Sequence, residues 1–247
     1  EEGRAQEHGR ERHRGKSVTQ PLHAALAAGA HSLGLNLSEV QIGQLLDFLA
    51  LLQKWNRVYN LTAVREPGDM LTHHLLDSLA AVPALQRQLA VQAQAGQGAS
   101  TLLDVGSGGG LPGVVFAICM PALAVQCVDT VAKKAAFVQQ VAVSLRLPNL
   151  RGVHARVESL AGPFDIVSSR AFASLADFST WSRGALAPGG VWLAMKGKRP
   201  TEELAALPST VEVFHVEPLS VPGLEAERCI VWMRPAAHSV GANHALT

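Results

Sequence analysis

Only three cysteines occur in 247 residues, Cys119, Cys127 and Cys229, and no two of them stand in CxxC spacing. That argues against both a disulfide framework and a cysteine zinc site. Long apolar runs are missing too: none reaches the roughly 18 residues a membrane span needs, and the first residues hold no hydrophobic segment of the signal-peptide kind. The expected compartment is the cytosol. Nor is there an excess of charge, the net value being +1, so a nucleic-acid partner must be held by a local patch. No internal repeat is visible. What the chain does have is 48% hydrophobic residues, enough for one sizeable α/β domain with a smaller appendage.

Residues 1–20 are rich in Glu, Arg, His and Gly and read as a disordered tail. Helical spacing begins at Leu22. Ser38 and Gln41 form a capping box at the head of a stripe of Val40, Ile42, Leu45, Leu46, Leu49, Leu52 and Trp55, which predicts a helix of about five turns. A second helix is expected from Pro67 or Asp69 to Leu85, with Leu71, Leu75, Leu76 and Leu79 inward. The Gln-, Ala- and Gly-rich stretch 86–100 breaks the pattern and bounds an N-terminal helical cap, 21–85. Beyond it, strand candidates at 101–105, 124–129, 150–154, 165–169 and 190–196 alternate with helix candidates near 112–120, 131–146, 174–186 and 201–207. This is the pattern of a doubly wound, mostly parallel sheet. Val211–Val216 and Cys229–Met233 add an antiparallel closing pair. The second domain is set at 100–234, and 235–247 is expected to be a flexible tail.

The most informative stretch is Asp104-Val-Gly-Ser-Gly-Gly-Gly-Leu-Pro-Gly113. Its glycines permit positive φ and close approach of backbone to a ligand, and Pro112 suits the first turn of a helix. A strand, a glycine turn and a helix N-terminus together offer backbone donors to something anionic or polar. In such a sheet ligands sit past the carboxyl ends of the strands. Asp129 closes the second strand about twenty residues after the glycines, where a carboxylate can accept from ribose hydroxyls. Lys133 and Lys134 open the next helix against its macrodipole, and with Arg146, Arg151 and Arg156 they read either as a phosphate track or as a solvated face. Glu158, Arg170 and Lys196 follow the third, fourth and fifth strands and complete the rim. His73, His74 and Asp77 offer too few ligands for a metal site, so a helix surface or packing role is expected for them.

Two frames fit the glycines. Gly108, Gly110 and Gly113 satisfy GxGxxG, the dinucleotide pattern. Asp104, Gly106, Gly108 and Gly110 instead resemble the S-adenosylmethionine motif of Rossmann-like methyltransferases, in which the acidic residue reaches the turn or the donor's amino group. No arrangement suited to hydride chemistry appears near the later strand ends, which favours the second frame. Five strings in order then sharpen the resemblance: Trp55-Asn-Arg-Val-Tyr-Asn-Leu-Thr-Ala-Val-Arg65, His74-Leu-Leu-Asp-Ser78, the Asp104–Gly113 turn, Ser169-Arg-Ala-Phe-Ala173 and Lys196-Gly197. Over about 38–234 the chain resembles the ribosomal RNA small subunit methyltransferase G family, also called glucose-inhibited division protein B.

That resemblance implies a Rossmann-like class I methyltransferase: an α/β fold whose mostly parallel seven-stranded sheet has an antiparallel closing strand, with an N-terminal helical cap. It implies transfer of a methyl group from S-adenosylmethionine to N7 of one guanine in bacterial 16S rRNA, by a monomer acting on the rRNA or on a small-subunit particle. The donor would be held by Asp104, Gly106, Gly108, Gly110, Leu111, Asp129, Val157, Glu158 and Arg170. Arg170 and Lys196 would stand at the reaction centre, while Lys133, Lys134, Arg156 and Arg228 would face RNA. His73 and Lys134 stand where the family carries arginine, and Gly109 where proline is common. Nothing in the chain suits a cysteine nucleophile, and N7 needs none, because its lone pair is free; positioning suffices. Phe172 is a candidate for stacking on the base, or for the core. A methyltransferase of another RNA or of a small molecule, and an RNA-binding protein without turnover, are the alternatives.

Overall fold

The computed structural model describes residues 20–96 and 100–237. Most of the two expected tails therefore lies outside the described residues. Helix α1 spans 20–32. Helix α2 (Glu39–Tyr59) starts on the expected capping box, with Ser38 Oγ accepting from Gln41 N–H and the Gln41 side chain accepting from Ser38 N–H. It buries Ile42, Leu45, Phe48, Leu49 and Leu52, whereas Val40, placed on the apolar stripe above, is 70% exposed. Val40 lies on the solvent side of the first turn, while its neighbours Gln41 and Ile42 face the sheet-side helices. Lower down, Phe48 and Trp55 meet Phe137 at 6.4 and 5.4 Å between ring centroids. Gln41 and Gln44 donate to carbonyls of Ile118, Cys119 and Leu145, which end two sheet-side helices.

The expected second helix is three pieces and a break. Helix α3 (Pro67–Met70) passes into a π-helical turn (Leu71–Leu76) and a last α-turn, α4 (Asp77–Leu79). The chain breaks at Ala80–Ala81 because Pro83 has no N–H for the Leu79 carbonyl, and α5 (Val82–Gln94) starts with that proline in its first turn. The stretch 86–94, which broke the pattern in sequence, is thus helical. Glutamine and alanine are good helix formers, and buried Gln92 fastens the helix by donating to the Asp165 carbonyl.

Seven strands follow: β1 (Thr101–Val105), β2 (Ala124–Asp129), β3 (Leu150–His154), β4 (Phe164–Arg170), β5 (Leu186–Lys196), β6 (Val211–Leu219) and β7 (Arg228–Pro235). Their order is β3-β2-β1-β4-β5-β7-β6, with β7 antiparallel to both neighbours and the first five strands parallel. Helices α6 (Gly113–Cys119), α7 (Ala132–Ser144), α8 (Leu175–Trp181) and α9 (Thr201–Ala205) make the crossovers. Strand β5 starts four positions before the expected 190, since Leu186 still pairs with Phe164 across a bulge. Side chains alternate between two cores. Leu102, Ile166, Leu193 and Ile230 face the N-terminal helices with α6 and α7, while Leu103, Val167, Trp192 and Val231 face α8. The first core runs without interruption from α1 and α2 into the sheet, so the N-terminal helices are packed on the α6 and α7 side of the sheet.

Candidate functional site

The glycine turn leaves β1 at Gly106 with φ of +64°, and Gly108 and Gly110 follow at +56° and +82°. Asp104 sits underneath with no exposed surface; its Oδ2 accepts from Gly113 N–H at 2.9 Å and its Oδ1 from Ser168 Oγ at 2.9 Å. The donor at the start of α6 is therefore taken by the protein's own carboxylate. Gly113 is glycine because a Cβ there would lie 2.4 Å from Cys127 Sγ, and Gly110 because one would lie 2.5 Å from Val114 Cγ2. Asp104 and Gly110 shape the turn from inside and line neither cavity around it.

Those two cavities meet over Gly106 and Ala171, which line both. The β2-side cavity, about 560 Å³, is bounded by Asp129, Lys134, Arg156, Val157, Glu158 and Phe172 among others. Asp129 Oδ2 accepts from Gly108 N–H at 3.0 Å and Oδ1 from Val131 N–H at 2.9 Å, with Lys134 Nζ 4.0 Å away. The second-strand carboxylate thus ties the glycine turn to the head of α7 and still faces the cavity. Phe172 belongs to this side and not to the opposite one: its ring lies against Gly106, edge-on to Phe178 and Trp181 at 6.4 and 6.0 Å.

The cap-side cavity, about 510 Å³, is bounded by Leu61, Thr62, His74, Asp77, Gly108, Leu111, Arg170, Lys196 and Arg228, together with neighbours from the same loops. Asp77, 3% exposed, accepts from Arg170 Nη1 on Oδ2 and from Arg228 Nε on Oδ1, both at 2.8 Å. Arg170 Nη1 also donates to the His73 carbonyl at 3.0 Å. Lys196 Nζ is held by both oxygens of Glu203, at 2.8 and 3.0 Å, and by the Ala173 carbonyl. The π-helical turn brings His73 and His74 to this wall, with Asp77 next to them at the start of α4, a geometry often met at functional sites. No group of three or more His, Cys, Asp or Glu among the described residues is arranged to hold a metal.

A family described as rRNA small subunit methyltransferase G matches residues 41–231. The ribosomal RNA small subunit methyltransferase G of Acidovorax ebreus (strain TPSY) is 72% identical over 87% of this chain and 96% of its own length. The protein of the same name from Polaromonas naphthalenivorans (strain CJ2) is 65% identical, covering 90% of this chain and 99% of its own. The chain belongs to the rRNA small subunit methyltransferase G family. Among solved structures, TrmN from Thermus thermophilus is 17% identical, with a TM-score of 0.47 over 67% of this chain and 53% of its own. The sheet order, with one antiparallel strand beside β5, is the Rossmann-like class I methyltransferase fold expected from the family resemblance.

Most of the residues singled out in sequence converge on these two cavities, though in a different electrostatic state from the one expected. Gly106, Gly108, Leu111, Asp129, Val157, Glu158, Arg156, Lys134, Arg170, Lys196 and Arg228 all line them. Arg170, Arg228 and Lys196, expected as cations facing the donor or RNA, are instead paired with Asp77 and Glu203. Lys133 lies over the Tyr59 ring, 5.8 Å from its centroid, and outside both cavities. Asp77 and Glu203 were missed as partners. Asp77 sits in a recognisable motif, but its two arginines are 93 and 151 residues away in sequence, and Glu203 reads locally as an ordinary first-turn carboxylate of α9.

Burial moves two groups of this site in opposite senses. It raises Asp104 from 3.8 to about 6, against the pull of the Gly113 and Ser168 hydrogen bonds. It lowers His74 from 6.5 to about 4, with help from the nearby Arg170 charge. The folded state holds Asp104 protonated where the unfolded chain has lost that proton, so this group's contribution to stability falls as pH rises from about 4 to about 6. His74 binds fewer protons folded than unfolded, so its contribution rises over about pH 4 to 6.5. The two contributions run in opposite senses over much the same pH range. Asp104→Asn can keep both contacts, with the amide oxygen on Gly113 N–H and the amide nitrogen on Ser168 Oγ. Its stability relative to the parent is therefore expected to climb between pH 4 and 6, as measured by urea unfolding at a series of pH values.

Proposed function

We propose that this chain transfers the methyl group of S-adenosylmethionine to N7 of one guanine in 16S rRNA, acting as a monomer in the cytoplasm on the rRNA or on a small-subunit particle. The observation that carries this reading is the meeting of two cavities over Gly106, with Asp129 on one side and a wall of basic residues on the other. The residues fit an adenosine-linked sulfonium. The carboxylate of Asp129 suits ribose hydroxyls, Val157 offers an apolar face beside exposed Glu158, and Gly108 leaves open space where any side chain would stand. A dinucleotide fits worse. Its pyrophosphate would need the N-terminus of α6, where Asp104 already sits and would repel it.

Bound in this cradle, S-adenosylmethionine supplies an electrophilic methyl group. The chain's own part is placement. The backbone of Gly106 and Gly108 with Leu111 holds the amino-acid end at the cap-side cavity, while Asp129 holds the sugar on the other side. The guanine enters the cap-side cavity against Arg170, Lys196 and Arg228, whose pairing with Asp77 and Glu203 leaves one positive charge in excess and fixes their side chains. His74 stays neutral near pH 7, so it neither adds charge to this wall nor exchanges protons there. N7 needs no base, and alignment of its lone pair with the methyl group supplies the rate enhancement. A route through a thiolate is disfavoured, because burial pushes Cys119 up to about 12 and raises Cys127 and Cys229 as well.

Calorimetric titration tests the donor assignment. S-adenosylmethionine is expected to bind and NAD not to bind, and Asp129→Ala should weaken donor binding by about tenfold or more through lost charge-assisted hydrogen bonds. Binding of NAD, or unchanged donor affinity in Asp129→Ala, would contradict it.

A further inference from the structure

A third cavity, about 340 Å³, lies on the other side of the loop that roofs the glycine turn, and none of the expected site residues lines it. The loop of residues 60–65 separates the two spaces. Leu61, Thr62 and Val64 line the cap-side cavity, while Asn60 and Arg65 line the third one with Gln53, Asn56 and Arg57. Asn56, 9% exposed, accepts from Thr62 N–H through Oδ1 at 2.9 Å. That contact fixes the amide, so its NH₂ end is a donor, and no hydrogen bond takes it among the described residues.

The chemistry of this lining differs from that of the reaction site. Arg57 and Arg65 make no ion pair within 4.0 Å among the described residues, in contrast to Arg170, Arg228 and Lys196. No carboxylate lines the cavity: Glu66 and Asp69, close in sequence, stand outside it. Two unpaired guanidiniums and three side-chain amides converge where nothing negative answers them. Guanidinium forks bind phosphate bidentately, and the position, one loop away from the pocket proposed for the target base, matches a strand that continues past that base.

We infer that the Arg57–Arg65 cavity holds a backbone phosphate of the rRNA strand flanking the methylated guanine. This rests on the proposed rRNA methylation. The site positions the strand and has no part in the chemistry, so it contributes to RNA affinity and salt dependence and leaves donor binding alone.

The test compares the parent with Arg57→Gln/Arg65→Gln and Arg57→Lys/Arg65→Lys for binding to protein-free 16S rRNA and to small-subunit particles between 50 and 300 mM salt. The glutamine variant is expected to lose about 0.7 of the log–log salt slope for each arginine removed, and to bind roughly tenfold more weakly at the lowest salt. The lysine variant should keep the slope, and all three proteins should bind S-adenosylmethionine alike by calorimetry. Equal slopes for the glutamine and lysine variants would overturn the inference, however well either folds. So would a defect confined to particles while protein-free rRNA is bound as by the parent, which would assign the cavity to a ribosomal protein. A parent that binds neither rRNA nor particles would instead contradict the proposed function.

Discussion

Asp77→Ala is expected to lower unfolding free energy by about 3 kcal/mol and kcat by roughly a hundredfold while leaving S-adenosylmethionine affinity within a few-fold of the parent. The stability loss follows from breaking a buried, charge-paired network from one side. Asp77 is almost fully buried, and its removal strands two guanidiniums that are themselves only 20 and 23% exposed. They regain some water through the cavity, which keeps the effect at the low end for such sites. The kinetic loss follows from position: Arg170 keeps only the His73 carbonyl, Arg228 only the Glu227 carbonyl, and a wall displaced by about an ångström costs on the order of a hundredfold. The excess positive charge grows at the same time, so KM for rRNA should not rise. That split, with kcat down and KM flat or lower, separates loss of positioning from loss of RNA binding. Asp77→Asn should fall between, since an amide oxygen accepts from one arginine while its NH₂ opposes the other.

Gly106→Ala should abolish donor binding, with affinity reduced at least a hundredfold, and cost the fold about 1–3 kcal/mol. A Cβ on Gly106 would lie 2.2 Å from Phe172 Cδ2, on a backbone whose φ of +64° already disfavours any side chain. Phe172 is held edge-on by Phe178 and Trp181, so it can retreat only into the β2-side cavity that it lines. The added methyl group therefore stands where the two cavities join and divides a site that must accept one continuous ligand. Gly106→Ala/Phe172→Ala should regain stability in urea unfolding without regaining donor binding. Recovery of both would mean that only the clash, and not the close approach of backbone to donor, requires glycine at 106.

How far the site could be read in advance follows from how local each signal is. Asp129 and the glycines were legible because the strand, turn and carboxylate lie within one βαβ stretch and answer to backbone geometry. The capping box at Ser38 was legible for the same reason. The π-helical turn was not, since Leu71, Leu75, Leu76 and Leu79 carry the same apolar spacing through a π turn as through an α-helix, and the widening depends on packing: Gly29 of α1 comes close enough that a Cβ there would lie 2.6 Å from Leu76 Cδ2. The state of the basic residues was not legible either. A sequence shows that Arg170 and Lys196 end strands and that Arg228 begins one, but only the fold brings Asp77 from the cap and Glu203 from α9 to pair with them. Conversely, Arg57 and Arg65 stood inside a recognised string, and nothing local said that, unlike Arg170 and Arg228, they would be left without carboxylate partners among the described residues.

The most direct test of the account is a nucleoside digest. Small subunits from a strain lacking this gene are incubated with the purified protein and S-adenosylmethionine labelled in its methyl group, then hydrolysed and resolved by chromatography. The expected result is label in 7-methylguanosine, about one per particle, and none with Gly106→Ala. Label in any other nucleoside, or no label from a protein that binds the donor, would contradict it.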